Sequence, residues 1–321
     1  MNVNQYKCFA VVCLMMLLLP LQLQAEGPVV EKPHTFSAGT PARASEVNEN
    51  FDRAYEHIQK LLDVVCKYHS TEPLCQTTDP QETYTNDFGM TFVLIPSGTF
   101  VMGSPEGETG RESDEVQHNV TLTKSFYMQK TEVTQGQWKA VMGTNPSHFS
   151  SCGDDCPVEK VTWEDAQEFI EKLNQHENTN NYKLPTEAQW EYAARAGSTT
   201  VLANGNLVET GCDLDTNLNE MGWYCGNADS KTHPVAQKKP NAWGLFDMHG
   251  NVWEWCQDWY DSYPTTSVTD PMGPSTGTTR VQRGGSWYNN AQRCRSAGRN
   301  LYSLAYRRNY IGVRLMRTLN P

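Results

Sequence analysis

From residue 198 to residue 321 the chain carries few hydrophobic residues at helical or strand spacing, although it is rich in Gly, Asn and Trp. A stretch of this length without period cannot be buried as ordinary amphipathic helices and strands. It is expected to form long ordered loops packed around large aromatic side chains, and loops of that kind are usually functional. A fold built this way needs anchors other than regular ladders, and that directs attention to the cysteines.

Ten cysteines are present, of which Cys8 and Cys13 fall in the first 25 residues. That segment reads as a secretory signal. Lys7 precedes the apolar run CFAVVCLMMLLLPL, which is short for a bilayer span, and LQLQA places Ala25 at a cleavage position. The alternative is an uncleaved membrane anchor. Either way the chain is expected to be exported, whether periplasmic, at the cell surface or secreted. An even number of remaining cysteines in an exported chain argues for disulfides. Sequence order suggests the local pairs Cys66–Cys75, Cys152–Cys156 and Cys212–Cys225, with Cys256–Cys294 as a long-range staple. Zinc is disfavoured, because there is no CxxC pair and no histidine at finger spacing.

The formal net charge is −11, and cleavage of the signal would remove one lysine and no acid. Nucleic acid is therefore not an expected partner, since phosphates require a basic face. The membrane is expected to be reached only through the signal or anchor.

Residues 26–44 are rich in Pro, Gly, Ala and Ser and read as an extended arm. Ser45 can cap a helix running to Cys66, with Val47, Phe51, Ala54, Ile58, Leu61 and Val65 at heptad spacing. Two readings stay open for this stalk: a helix docked on the main domain, or an oligomerising segment that makes a homo-oligomer. Residues 67–86 read as a linker, and the main domain as 87–321. Within it, GMTFVLIPSGTFVMGS predicts two short strands around a turn, and VTLTKSFYMQKTEVT alternates like a strand. Thr134 with Gln137, Thr162, and Thr186 with Gln189 predict helix N-termini, the last helix closing at Gly197.

No GxSxG, HExxH or P-loop is present. His118, His148 and His233 stand alone, and no two acids are singled out for glycoside chemistry.

Seven segments then occur in one order: GMTFVLIPSGTFVMGS, KTEVTQGQW, PVEKVTWEDAQEF, KLPTEAQWEYAARAG, NAWGLFDMHGNVWEWCQDW, RVQRGGSW and IGVRLMR. Together they resemble the sulfatase-modifying-factor domain typified by formylglycine-generating enzyme, over residues 89–317. The resemblance implies an α+β, loop-rich fold of the C-type-lectin kind, here with an N-terminal helix. It also implies a chemistry to look for: enzymes of this family oxidise a sulfatase cysteine using copper(I) on two thiolates. In this sequence Asn289 falls where the first of those cysteines would lie, and Asn290 where a histidine would follow. Cys294 falls either on the second cysteine or, with a gap, on a structural one. The pair is broken in both alignments, so copper is not expected and Cys294 is catalytic only if the oxidase alternative holds. Trp253 and Ser286 fall on active-site positions of the family. The family's calcium segment carries over to the side chains of Asp247 and Glu254 and the carbonyls of Gly250 and Val252, a hard oxygen set suited to a structural calcium. A second calcium site, expected somewhere in 206–230, has no assignable ligands.

Family members without the thiol pair include the variable proteins of diversity-generating retroelements, which display varied residues just before a GFRL-like ending. The matching surface here is 287–310, with Trp287, Tyr288, Asn289, Asn290, Asn300, Tyr302, Ser303, Tyr306, Asn309 and Tyr310. Tyr offers broad contact at low entropy cost, and Asn and Ser adapt their hydrogen bonds. Gly284, Gly285, Arg295 and Gly312 would form the frame. The expected function is thus an exported protein that binds a protein or glycan ligand through this surface. The alternatives are a formylglycine-generating oxidase and a non-catalytic scaffold for a partner enzyme.

Overall fold

A computed structural model describes residues 82–319. The signal, the arm, the stalk, most of the expected linker and the Cys66–Cys75 pair lie outside the described residues. Among the described residues no helix is long and apolar enough to cross a membrane.

Ordered structure begins earlier than expected. Residues read as the end of a linker form strand β1 (Thr83–Thr85), paired antiparallel with β2 (Thr91–Ile95), because Thr-Tyr-Thr alternates and puts Tyr84 opposite Phe92. These join β5 (Phe126–Gln129), β12 (Met316–Thr318) and β6 (Tyr182–Lys183) in one sheet of order β1-β2-β5-β12-β6. A second sheet contains β3 (Gly98–Met102), β4 (His118–Leu122) and β8 (Val268–Thr269). The third has the order β10-β9-β7-β11, from Arg299–Tyr302, Arg280–Arg283, Trp253–Trp259 and Ile311–Gly312. The two strands predicted around the Pro-Ser-Gly turn, β2 and β3, are both present but belong to different sheets. VTLTKSFYMQ likewise divides into β4 and β5, which part at Lys124 to enter separate sheets.

Helix α1 (Gln135–Met142), α2 (Trp163–His176) and α3 (Glu187–Arg195) each begin with a full capping box, from Thr134/Gln137, Thr162/Asp165 and Thr186/Gln189. The left-handed residue closing α3 is Ala196, one position before the expected Gly197. A fourth helix, α4 (Thr216–Met221), lies in the aperiodic region and is capped by Asp215. Its single turn and a half is too short to show a hydrophobic period.

The loops are pinned by buried guanidinium groups. Arg283 pairs with Glu187 and Glu191, Arg299 with Glu187, Arg295 with Glu108 and Glu115, and Arg314 with Glu254. The segment SPEGETGRESDEVQHN, read as a charged loop, is therefore tied down by its own acids. Losing one partner of such a pair typically costs about 3–5 kcal/mol, since the other charge is left buried and unpaired.

Two of the expected disulfides are present, Cys152–Cys156 and Cys212–Cys225. The long-range staple is not. Cys256 and Cys294 are both buried free thiols. Cys256 packs with Trp190 and Val281, whereas Cys294 packs in a separate apolar cluster with Leu202, Leu218 and Tyr224. Burial in distinct clusters keeps the two sulfurs apart, and neither thiol is needed as a staple where arginine pairs already hold the loops.

Candidate binding surface

The surface is raised on the β7–β9 core. Gly285 has φ +76, and a Cβ there would meet Cys294 Sγ at 2.5 Å, so the turn after β9 requires glycine at this position. The turn presents Ser286 and Asn289 to the indole of Trp253. Trp253 Nε1 donates to Asn289 Oδ1 at 2.8 Å, and the Ser286 hydroxyl donates to the same oxygen at 2.5 Å. The backbone of Asn289 is also committed, its N–H to Ser286 and its carbonyl to the N–H of Cys225, half of the neighbouring disulfide. The three positions that resemble the family's active site thus meet at one point, and Asn289 forms its hub.

The groups at and beside that hub are an amide oxygen and one buried thiol. The amide oxygen already accepts two hydrogen bonds. The remaining thiol, Cys294, is fully buried, and burial pushes it up to about 12, so it holds its proton at neutral pH.

Around the hub the predicted residues separate into frame and face. Trp287 is buried, T-shaped against Phe149, and its indole donates to the Asn309 carbonyl. Beyond it Tyr288, 63% exposed, stacks on Tyr310 at 5.4 Å and 11°. The hydroxyls of Tyr310 and Tyr306 are 3.0 Å apart, and Tyr306 stacks on Tyr302 at 3.8 Å. The guanidinium of Arg308 covers the Tyr306 ring at 4.6 Å. The structure therefore brings Trp287, Tyr288, Tyr310, Tyr306 and Tyr302 into one continuous aromatic run. Ser303 is exposed beside it, and Asn290 and Asn309 are half-buried. Asn300 donates to Gln282 Oε1 and lies on the same face of β10 as Tyr302, whose hydroxyl it also reaches. Asn289, half-buried, directs its amide oxygen into the hub.

His148 and Phe149 were not anticipated here. They come from the loop after α1, 138 residues before Trp287 in the case of Phe149, and no local pattern marks them. Glu159 fixes this loop by accepting the N–H of Phe149 at 2.7 Å, and burial pushes its carboxyl up to about 7.

The expected calcium segment lies directly beneath. Gly250, at φ +116, donates to the Gly284 carbonyl, and the Asn251 carbonyl accepts the N–H of Trp287. Asp247 Oδ2 accepts the N–H of Ala236, while Oδ1 is buried without a partner. Glu254 is already engaged on both oxygens, by Trp190 and by Arg314. Glu132 is also fully buried nearby, raised by burial and by the charges of Asp247 and Glu254. The carboxylates of Glu132, Asp247 and Glu254 thus face the guanidinium of Arg314, with the Lys238 ammonium also acting on Asp247. An orphan acceptor among three buried acids that share few cations fits a hard divalent cation. The fit rests on Asp247 more than on Glu254. No group of three or more His, Cys, Asp or Glu side chains is placed to hold a metal among the described residues, so backbone carbonyls such as those of Gly250 and Val252 would have to complete the set. In 206–230, Asp215 is satisfied by the N–H groups of Val208, Glu209 and Leu218, so amides occupy the one fully buried acid there.

The sulfatase-modifying factor enzyme 1-like domain matches residues 76–319, most of the chain. This chain belongs to that family. Among sulfatase-modifying-factor relatives, a chaperone protein LppX of Paenibacillus barcinonensis is 35% identical over 218 residues, covering 53% of this chain and 71% of that one. A formylglycine-generating enzyme of Streptomyces coelicolor is 36% identical over 158 residues, 47% of this chain, and the match spans 46% of the enzyme's own length. Two solved structures share the fold across their whole length and 75% of this chain. They are Treponema denticola variable protein 1, with a TM-score of 0.66 and 32% identity, and PvdO from Pseudomonas aeruginosa, with 0.64 and 26%. The expected α+β, loop-rich fold of this family is the one observed.

Proposed function

We propose that this sulfatase-modifying-factor-like domain is an exported binding protein whose ligand seats on the aromatic run from Trp287 to Tyr302. The observation that carries this reading is Asn289, clamped by Trp253 and Ser286 where an oxidase of the family would need a thiolate. Beside that hub, stacked tyrosines present wide, rigid, amphipathic area, with hydroxyls and asparagines for polar contacts. The relative named as a chaperone supports a polypeptide ligand over a glycan. Two disulfides suit an oxidising compartment and hence export. Calcium, held by Asp247, Glu254 and the carbonyls of Gly250 and Val252, would supply the charge that lets the loop under Trp287 keep its buried acids ionised.

Two measurements test this together. The first is screening on peptide-display and glycan arrays, comparing the wild type with a Tyr288→Ala, Tyr306→Ala, Tyr310→Ala variant. Binding should be lost in the variant while circular dichroism is unchanged. The second is copper(I) titration with an assay on a cysteine-containing sulfatase peptide. Tight two-coordinate copper with oxidation of the peptide would establish the oxidase alternative and sink the binding reading. A stable complex with a partner enzyme that survives the triple substitution would favour the scaffold alternative.

A further inference from the structure

A second concavity lies on the other side of strand β10. Successive residues of a strand point to opposite faces, and Arg299 and Tyr302 are three apart. Tyr302 joins the aromatic run, whereas Arg299 lines a cleft of about 470 Å³ between the start of α3 and the loop after β7. The cleft does not depend on the reading of the aromatic surface.

Its charges are unequally matched. Arg299 is consumed: Nε and Nη2 donate to Glu187, Nη2 also to the Asp261 carbonyl, and Nη1 to the Asp114 carbonyl. Tyr263 donates its hydroxyl to Glu187 as well. Asp258 is different. It is buried at the wall of the cleft, and Oδ2 accepts the first N–H of α3 at 2.8 Å. Its other oxygen has no side-chain partner among the described residues. The nearest cation not already paired with an acid is Arg280, which lies between the rings of Trp163 and Trp259 and donates to the Gln257 carbonyl. His118 also lines the cleft, its Nδ1 within hydrogen-bond distance of the Val116 carbonyl. The remaining wall is mostly apolar, from Met102, Val268, Met272 and three prolines, with Ser262 and Thr269 as polar members.

The geometry points to a binding site for an organic ammonium group on a short apolar stem, the ammonium paired with Asp258 and the stem lying along Met102, Val268 and Met272. A cation is selected because Arg299, the arginine that lines the cleft, is spent on Glu187 while Asp258 has no ion pair of its own; the stem is selected by the apolar wall. The acidic surface of the whole chain would draw such ligands in. Burial, followed by the charge of Glu187, pushes Asp258 up to about 7, so ionisation and amine binding should strengthen together as pH rises. The groups facing it are Glu187 on α3, Arg280 on β9, Arg299 on β10, His118 on β4 and Asp261 in the loop.

The test is calorimetric titration of the full chain with butylamine, with 1,5-diaminopentane, with N-acetyl-lysine amide and with butanol as the uncharged control. Saturable binding of the amines is expected, weakening by roughly a hundredfold between about pH 8 and pH 5, with butanol not binding. Preference for the lysine amide would identify a polypeptide side chain as the source, and preference for the free amines a small molecule. Asp258→Asn keeps an oxygen acceptor for the α3 N–H and should abolish amine binding. Met272→Ala, at a side chain that is 68% exposed, should weaken it by severalfold. Equal binding of butanol, unchanged affinity in both variants, or no saturable binding by any amine would overturn the proposal.

Discussion

At Asn289 a single residue type separates two chemistries. An amide oxygen that accepts from both Trp253 and Ser286 locks the turn, whereas a thiolate there would have been a soft ligand. Neighbouring Cys294 shows the same preference for structure over reactivity, and so does Cys256, which burial also raises well above the ordinary thiol range. Alkylation followed by peptide mapping should therefore leave Cys256 and Cys294 unmodified in the native protein and label both after unfolding without reductant; failure to label after unfolding would restore a disulfide. Glu159 supplies the pH-dependent counterpart. Its folded value of about 7 lies above its ordinary 4.5, so the proton binds more tightly in the folded state. The stability this gives is complete below about 4.5 and is lost as pH rises through about 7, a change of roughly 1–3 kcal/mol. Glu159→Gln should remove that part of the slope in chemical denaturation while leaving Phe149 anchored on an amide oxygen. An unchanged difference between wild type and variant across this range would show that Glu159 does not titrate on unfolding.

Among the elements, legibility followed the length of the signal. Capping boxes act through side chains three residues apart, so α1, α2 and α3 could be read directly from Thr134, Thr162 and Thr186. Strands β7 to β12 could not, because their stability comes from partners far away in sequence. β9 has all four residues buried, but RVQR has no apolar alternation, since Arg283 is paired with acids on α3 and Arg280 is held between two indole rings and a backbone carbonyl. The same reasoning explains why cysteines were expected to staple these loops: the sequence displays thiols openly, whereas an arginine's buried partner is visible only in the fold. Arg314, between β11 and β12, is the sharpest case. It donates to Glu254 through two nitrogens and to the carbonyls of Gln129 and Phe246. Arg314→Leu should lower unfolding free energy by about 3–5 kcal/mol, as an uncompensated buried glutamate would. By comparison Thr162→Ala, which removes only a cap from α2, should cost about 1 kcal/mol. Equal effects in urea titration would mean that the arginine pair is no more than a local contact.

For the molecule as a whole, seven ordered motifs were enough to indicate the family and its α+β fold, since they mark the turns and buried pairs that define it. They did not indicate which predicted surface residues face solvent. Asn289 commits its amide oxygen to Trp253 and Ser286, Asn300 donates to Gln282, and Phe149 joins from a distant loop. What unites surface and core is the segment from Asp247 to Glu254, which bonds to the Gly284 turn and to Trp287 while burying acids against one arginine. If calcium completes that segment, its removal should both destabilise the domain and loosen the aromatic run. A ligand present at about a hundredfold its dissociation constant contributes about 2.7 kcal/mol, which for a domain of this size corresponds to roughly 5–10 °C in Tm. EGTA should lower Tm by that amount and calcium restore it, while magnesium, which demands stricter octahedral geometry, restores less. Asp247→Asn should bring Tm close to the EGTA value and make it insensitive to either ion. Quenching of Trp fluorescence by acrylamide should rise in parallel, because Trp287 takes its backbone bond from Asn251. A Tm indifferent to chelation in the wild type would leave Asp247 as a buried acid held by the Ala236 amide alone and would end the calcium reading.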